Sequence, residues 1–583
     1  MNPEQLHHMR HSLAHLLGAA ILELYPGSKL TIGPSVDNGF YYDIDCTTKI
    51  SDQDLPIIEE KMHSLLPSWT GFEKRTVSAD EARTHFAGNE YKLELIDEIA
   101  KEGGEITLYT SGTFTDLCRG GHTENPAQDI EPNAFRLERV AGAYWRGDEK
   151  NKMLTRVYGL AFESKEKLDA YIYQQEEAKK RDHRKLAKEL KLFTISELVG
   201  SGLPLWQPNG NVLRRELTNY LWDLHKNRGY QWVWTPHLAK EALYDASGHT
   251  GHYMDDMFSV FGGTSKEKFY VKPMNCPHHM QIFASEQWSY RDMPVRYFEP
   301  ATVYRDEKAG QLSGLTRVRS ITQDDGHLFC RATQIHTEVS TIVEIIKEFY
   351  TTMGMIEGYK VRLSLRDPQS SNYLGSDAVW KTAEDALTEV CRVQNLPYFE
   401  GIGEAAFYGP KLDFMFNDAI GREHQLATVQ LDFNLPERFD LSFTNEKGEF
   451  ERPVVIHRAI GGSIERFLGV AIEHFAGSFP TWMAPVQTVI VPVNTELHGD
   501  YSDTLLKKLR QQDVRAEIYN YNDSLGKRIR EAKKLFVPYI IVIGDKEMES
   551  GAMTIEKRDG TKEEGISIET FTQNILNEIK ERK

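Results

Sequence analysis

Apolar residues recur at helical spacing from Ser12 to Leu24, and GFYYDID and AYWRGD read as strand-like pieces. From about Ser164 to Leu192 the pattern is helical but polar. Residues 194–480 alternate strand-like and helix-like stretches. Near the C-terminus the short apolar runs TVIVPVN and YIIVIGD flank helical segments, which predicts a small α/β domain with a mainly parallel core from about Pro485. The pattern divides the chain into 1–165, a helical linker 166–193, 194–483 and 484–583: a multidomain protein of α+β and α/β parts.

The 583 residues, 40% hydrophobic, suffice for several cores. No apolar run is long enough to cross a bilayer, and the N-terminus lacks the apolar stretch and cleavage site of a signal peptide. Five scattered cysteines (46, 118, 276, 330 and 391) fit reduced thiols in the cytoplasm better than a disulfide framework. A net charge of -17 excludes a bulk polycation but not a local basic face for RNA. Lys179–Lys191 has seven basic residues against two acidic ones, and reads equally as a solvated linker helix or an RNA-facing stripe.

Candidate chemistry falls in two groups. His11 and His15 share a helix face one turn apart, and Cys118 and His122 follow in Asp116-Leu-Cys118-Arg-Gly-Gly-His122. Converging, they make either a metal site or a wet hydrolytic site. Cys276, His327 and His457 form a second set that leaves tetrahedral zinc one open position, with Cys330, His278 and His279 as competing ligands.

The segment Tyr304-Arg305-Asp306-Glu307 through Arg317-Val-Arg319 to Gln323-Asp324-Asp325-Gly-His327 resembles motif 2 of class II aminoacyl-tRNA synthetases, in the version carried by the threonyl-tRNA synthetase family. Pro236 resembles the motif 1 proline, and Gly461-Gly-Ser463-Ile-Glu465-Arg466 resembles motif 3. KPMNCP, FYGPKLDF and TVQLDFNLPERF are similar to threonyl-specific blocks; HSLAH, DNGFYYD, DLCRGGH and AYWRGD are similar to the family's editing domain. The likeness runs from about His11 to Lys583. It implies an editing domain, a catalytic core on an antiparallel sheet and a C-terminal α/β anticodon-binding domain.

The resemblance further implies ATP-dependent joining of threonine to tRNA(Thr), with hydrolysis of mischarged Ser-tRNA. Arg305 would hold the α-phosphate and carboxylate, Glu307 the adenine amine, and Arg317 and Arg466 the outer phosphates, with Mg2+ accompanying ATP. One zinc ion per subunit would sit on Cys276, His327 and His457. Met274, Gln323, Asp325, Tyr408, Lys411, Gln425, Gln430 and Ser463 would surround the substrates. Editing would use His11, His15, Lys92, Asp116, Cys118 and His122 without a metal; Asn522, Arg528, Arg530 and Glu547 would meet the anticodon. A homodimer through the Pro236 region is expected, with no membrane partner.

The chain departs from the family's pattern at several positions. Ile321 stands where an aromatic stacks on adenine, Gly121 where CRGPH has proline, His278 where glycine is usual, and Phe536 and Glu556 where arginines are common. The small N-terminal domain frequent in bacterial members is expected to be missing. Rival readings are an inactive tRNA-binding sensor, a free-standing deacylase, or a synthetase of another specificity.

Overall fold

The structure is a computed structural model that describes residues 1–264, 266–370 and 373–583, with the side chains of 252 and 253 left aside. The chain forms two compact units, Met1–Glu176 and Glu177–Lys583.

In the first unit helix Pro3–Leu24 begins nine residues before the expected Ser12, because Asn2 forms a capping box with Gln5 and Pro3 occupies the first turn. It buries Leu13, Leu16, Leu17 and Ile21 against an antiparallel sheet that includes Gly39–Asp45, Met153–Ala161 and Phe135–Tyr144. Gly39 permits the close crossing there, since a β-carbon on it would lie 1.9 Å from the Gly159 carbonyl oxygen. AYWRGD is strand only as far as Tyr144. Arg146 and Gly147 adopt left-handed φ of 57° and 72°, so the rest is a turn. A second sheet, Glu73–Thr76, Thr107–Ser111 and Phe114–Leu117, delivers Asp116 and Cys118; helix Glu90–Lys101 delivers Lys92.

The expected single linker helix is two, Lys165–Arg181 and His183–Leu190, interrupted where Asp182 caps the second by accepting the Arg184 N–H. The second is neither a solvated linker nor an RNA-facing stripe alone. Its residues His183, Leu186, Ala187 and Leu190 are buried at i, i+3, i+4, i+7 spacing, with the three aliphatic ones in the main core.

That core backs an eight-stranded sheet. Its order is Gln231–Trp232, Val295–Tyr304, Ser320–Cys330, Val454–Ala459, Glu423–Asp432, Lys411–Asn417, Lys360–Leu365 and Tyr398–Ile402. Only the two outermost pairings are parallel. Helices Pro208–Lys226, Ile335–Thr352, Asp377–Val393 and Ile464–His474 contribute to the same core. The C-terminal sheet is mixed. Ala516–Ile518, Thr488–Pro492 and Tyr539–Ile543 are parallel, as expected, but Ala552–Lys557 and Lys562–Ser567 extend them antiparallel.

Candidate active sites

The antiparallel pairing of Val295–Tyr304 with Ser320–Cys330 sets Tyr304 opposite Ser320 and Tyr297 opposite His327. The loop between the strands therefore opens over one end of the sheet. Arg305, Glu307, Arg317, Ile321, Gln323, Asp325, Met274, Cys276, Tyr408, Gln425, Gln430, His457, Ser463 and Arg466 all line a cavity of about 870 Å³. Lys411 does not; its ammonium lies 2.8 Å from Asp413.

Cys276, at the start of helix Cys276–Ala284, meets His327 and His457 from adjacent, directly opposed strand positions. Their donor atoms lie within 4.8 Å of one another. The His327 Nε2 and His457 Nδ1 atoms face each other at 2.9 Å. Each ring's other nitrogen is committed. His457 Nε2 lies 2.9 Å from Asp432 Oδ2. His327 Nδ1 lies 2.8 Å from His279 Nδ1, and His279 Nε2 lies 2.9 Å from Glu299 Oε2. If both carboxylates accept N–H donors, His279 accepts from His327, and His327 Nε2 and His457 Nδ1 present lone pairs to the same point. His279 thus stands behind His327 rather than in the converging set, a placement its position in sequence could not reveal.

Arg458 and Asp324 were also missed. They form a buried pair at 2.8 Å, and Asp324 accepts the N–H groups of Ile460 and Gly461 ahead of Ser463. A β-carbon at Gly326 would strike the guanidinium at 2.5 Å. Ser463 caps helix Ile464–His474 by accepting the Arg466 N–H. Arg317 is paired with Glu307 at 2.8 Å. Tyr408 donates to Gln430 at 2.5 Å, and Asp325 accepts from Asn275 at 3.1 Å. Burial holds the Asp325 carboxyl above its ordinary range. His278 is buried near Tyr244, with neither ring nitrogen hydrogen-bonded among the described residues; burial pushes it down to about 4, so it stays neutral.

In the first unit His11, His15, Cys118 and His122 do converge. The His15 and His11 Nε2 atoms are 3.2 Å apart, and Cys118 Sγ lies 3.4 Å from His122 Nε2 and 3.6 Å from His11 Nε2. Asp116 is the buried hub beneath them: it meets Lys92 Nζ at 2.5 Å and His15 Nδ1 at 3.3 Å, and accepts from the Tyr42 hydroxyl. Burial opposes charge on His15, but Asp116 and Cys118 outweigh it and raise the imidazole to about 9. Burial likewise opposes a Cys118 thiolate, yet the three histidines bring the thiol down to about 3. A cavity of about 460 Å³ adjoins them. Gly121 has φ +84°, which proline cannot adopt, and its carbonyl accepts from His11 Nδ1 at 3.1 Å. The loop is thereby tied to His11.

In the C-terminal sheet region Asn522 and Arg530 are exposed. Glu547 accepts from the Gly544 N–H and the Thr554 hydroxyl. Arg528 is buried, its guanidinium spent on the carbonyls of Pro492, Val493 and Tyr519, so it supports the fold and is not free to meet a base. Glu556 is paired with Lys533.

Residues 260–475 match the tRNA synthetase class II core domain (G, H, P, S and T), 487–578 the anticodon binding domain, and 106–158 the threonyl and alanyl tRNA synthetase second additional domain. The whole chain is 46% identical to a threonine–tRNA ligase of Rubrobacter xylanophilus, covering 90% of that protein. The chain belongs to the threonyl-tRNA synthetase family. A threonine–tRNA ligase of Staphylococcus carnosus is also 46% identical, with 89% of its length covered. The crystal structure of the RNA binding domain of threonyl-tRNA synthetase from Cryptosporidium parvum Iowa II superposes with TM-score 0.65 at 33% identity, over 68% of this chain and 98% of that one. Membership makes this an aminoacyl-tRNA synthetase, a ligase with a class II core and an editing-associated domain, and disfavours the sensor and deacylase readings. Among the described residues no helix is long and apolar enough to cross a membrane.

Proposed function

We propose that the two cavities house the two reactions of a threonyl-tRNA synthetase: activation and transfer of threonine in residues 194–483, and hydrolysis of Ser-tRNA(Thr) in residues 1–165. Residues 166–193 join them and 484–583 meet the anticodon, through Asn522, Arg530 and Glu547. In activation a threonine carboxylate oxygen attacks the α-phosphorus of ATP and the bond to the pyrophosphate oxygen breaks. No protein nucleophile is needed, so positioning and charge neutralisation carry the step. Arg305 bridges carboxylate and α-phosphate, a task suited to a forked, permanently charged group. Arg317 leaves Glu307 to join Arg466 on the outer phosphates, and Glu307 then accepts from the adenine amine. Mg2+ accompanies the nucleotide. Ile321 contributes apolar contact to adenine without stacking.

Cys276, His327 and His457 fit zinc: one thiol and two imidazoles whose remaining nitrogens are already held. Bound there, zinc supplies coordination to the amino and hydroxyl groups of threonine. Valine, nearly isosteric, is otherwise separable by only roughly a hundredfold. Serine lacks one methyl, about 1–3 kcal/mol of discrimination, which is why a second, hydrolytic site is needed. There the charged His15 and Lys92, both anchored on Asp116, orient water at the ester. Exposed Trp232 and Trp234 beside Pro236 support pairing into a homodimer, and the five free thiols suit the cytoplasm.

The observation carrying this reading is that Cys276 and His457 line one cavity with Arg305, Glu307, Arg317 and Arg466, while the buried His327 brings its donor atom within 4.8 Å of theirs. The test is amino-acid-dependent ATP–pyrophosphate exchange on wild-type protein and Cys276→Ser. Strong exchange with threonine, weaker with serine, none with valine and loss in the variant is expected. Absence of exchange with all three, from folded zinc-loaded protein, rejects the proposal.

A further inference from the structure

The basic stretch Lys179–Lys191 is used by neither reaction, yet its middle is built into the catalytic unit. Arg181 donates to the His474 carbonyl at the end of helix Ile464–His474 (3.1 Å), the helix that carries Arg466. His183 is 4% exposed and both its ring nitrogens are engaged. Its Nδ1 lies 2.6 Å from Glu473 Oε1, which also accepts the His183 backbone N–H. Its Nε2 accepts the Leu315 N–H at 3.0 Å. An acceptor at Nε2 requires the proton on Nδ1, and Glu473 selects that tautomer. Asp182, His183 and Glu473 cluster closely enough to suggest a metal site. The ring, however, has no nitrogen to spare for one. The other oxygen of Glu473 receives Arg422 at 2.5 Å, immediately before the strand that bears Gln425 and Gln430.

Leu315 belongs to a tight turn. Ser313 N–H donates to the Arg317 carbonyl, and the Thr316 and Arg317 N–H groups donate back to Ser313 (2.9–3.2 Å). Arg317 closes it. The turn lies directly on His183: Gly314 has φ +49°, and a β-carbon there would stand 2.1 Å from His183 Nε2. On the other side a β-carbon at Gly469 would approach Leu315 Cβ to 3.3 Å.

We propose that His183 is a positioning residue for ATP: by accepting the Leu315 N–H it fixes the turn that presents Arg317 to the phosphates. The inference rests on the reading of Arg317 as a phosphate ligand. The bland alternative is a histidine that merely stabilises the core. That role would lower thermal stability and affect both substrates alike; a positioning role separates ATP from threonine.

The test uses the full-length protein and pyrophosphate exchange, with KM measured separately for ATP and threonine. His183→Ala is expected to raise KM for ATP on the order of tenfold, the size of one lost hydrogen bond to a loop, with KM for threonine within about twofold. His183→Gln, which returns an acceptor near the Nε2 position, should recover most of the loss. Gly314→Ala should reproduce the defect, since a β-carbon there would meet His183 Nε2 at 2.1 Å and Arg184 Cγ at 2.9 Å at a left-handed φ. An unchanged KM for ATP in folded His183→Ala, or equal rises in both KM values, would overturn the proposal. Arg317→Ala is the control. If it leaves KM for ATP unchanged, the parent reading of Arg317 fails; if it raises KM while His183→Ala does not, only the positioning role fails. Should His183→Ala not fold, His183→Gln and Gly314→Ala still decide.

Discussion

Asp116 shows how one buried carboxylate can organise a site. It is 2% exposed and holds Lys92, His15 and Tyr42 at once; burial would raise its pKa, but Lys92 and His15 keep it below the ordinary carboxylate range. His15 is raised to about 9. A raised histidine contributes stability that is complete below its unfolded value of about 6.5 and lost as pH climbs through the folded value. Cys118, brought down to about 3, gains stability with rising pH over that same window up to its unfolded value of about 8.5, so the two offset in the wild-type protein. Asp116→Asn, which removes the His15 contribution, should leave the first unit gaining thermal stability as pH rises from about 6.5 to 8.5. Calorimetry on the full chain at several pH values measures it; an identical pH slope in the variant would count against His15 as the titrating group. The same variant should lower Ser-tRNA hydrolysis on the order of a hundredfold, as loss of a positioned acid–base group does, while leaving pyrophosphate exchange intact. Among the zinc ligands' supports, Glu299→Gln and Asp432→Asn should each weaken metal retention by about 10–100-fold, read by competition with a chromophoric chelator.

At the scale of the element, helix His183–Leu190 is the instructive case. Its charge dominated the reading of the sequence, while the four buried positions 183, 186, 187 and 190 were the stronger signal for where it sits. Charged side chains cover its outer face and do not exclude packing on the inner one. Leu186→Ala should cost about 2–5 kcal/mol of stability in the catalytic unit, whereas exposed Lys185→Ala should change it by less than about 0.5 kcal/mol. Denaturant melts of both variants compare them, and equal small effects would return the helix to the role of a solvated linker. AYWRGD failed as a strand beyond Tyr144 for a local reason: two left-handed residues end it, and the aromatic character of so short a piece carries no record of φ.

For the whole molecule, the two cavities belong to different compact units with different chemistry. Chelation of zinc should therefore silence threonine activation while Ser-tRNA hydrolysis persists. Parallel exchange and deacylation assays before and after chelator treatment, with zinc added back, decide this. Loss of both activities together would give the His11–His15–Cys118–His122 cluster a metal of its own. Trp234 is 72% exposed. Trp234→Glu should shift the protein from dimer to monomer in light scattering, and an unaltered mass would place the pairing surface elsewhere.

Sequence alone singled out Cys276, His327 and His457, which converge, and Arg305, Glu307, Arg317 and Arg466, which line one cavity, because these reside in short blocks whose residue types are dictated by chemistry: soft donors suit zinc and guanidinium suits phosphate. The apolar runs TVIVPVN and YIIVIGD marked two parallel strands of the C-terminal sheet, whereas for residues 194–480 the sequence showed only that strand-like and helix-like stretches alternate. What it could not reveal were relationships between residues distant in the chain. That Asp432 holds His457 and Glu299 holds His327 through His279, that Arg458 must cross Gly326 to reach Asp324, that Arg528 is spent on backbone carbonyls, and that His183 accepts an N–H 132 positions away all arise from packing. A side chain's type records which bonds it can make; only the tertiary structure decides which partner is near enough, and dry enough, for the bond to form.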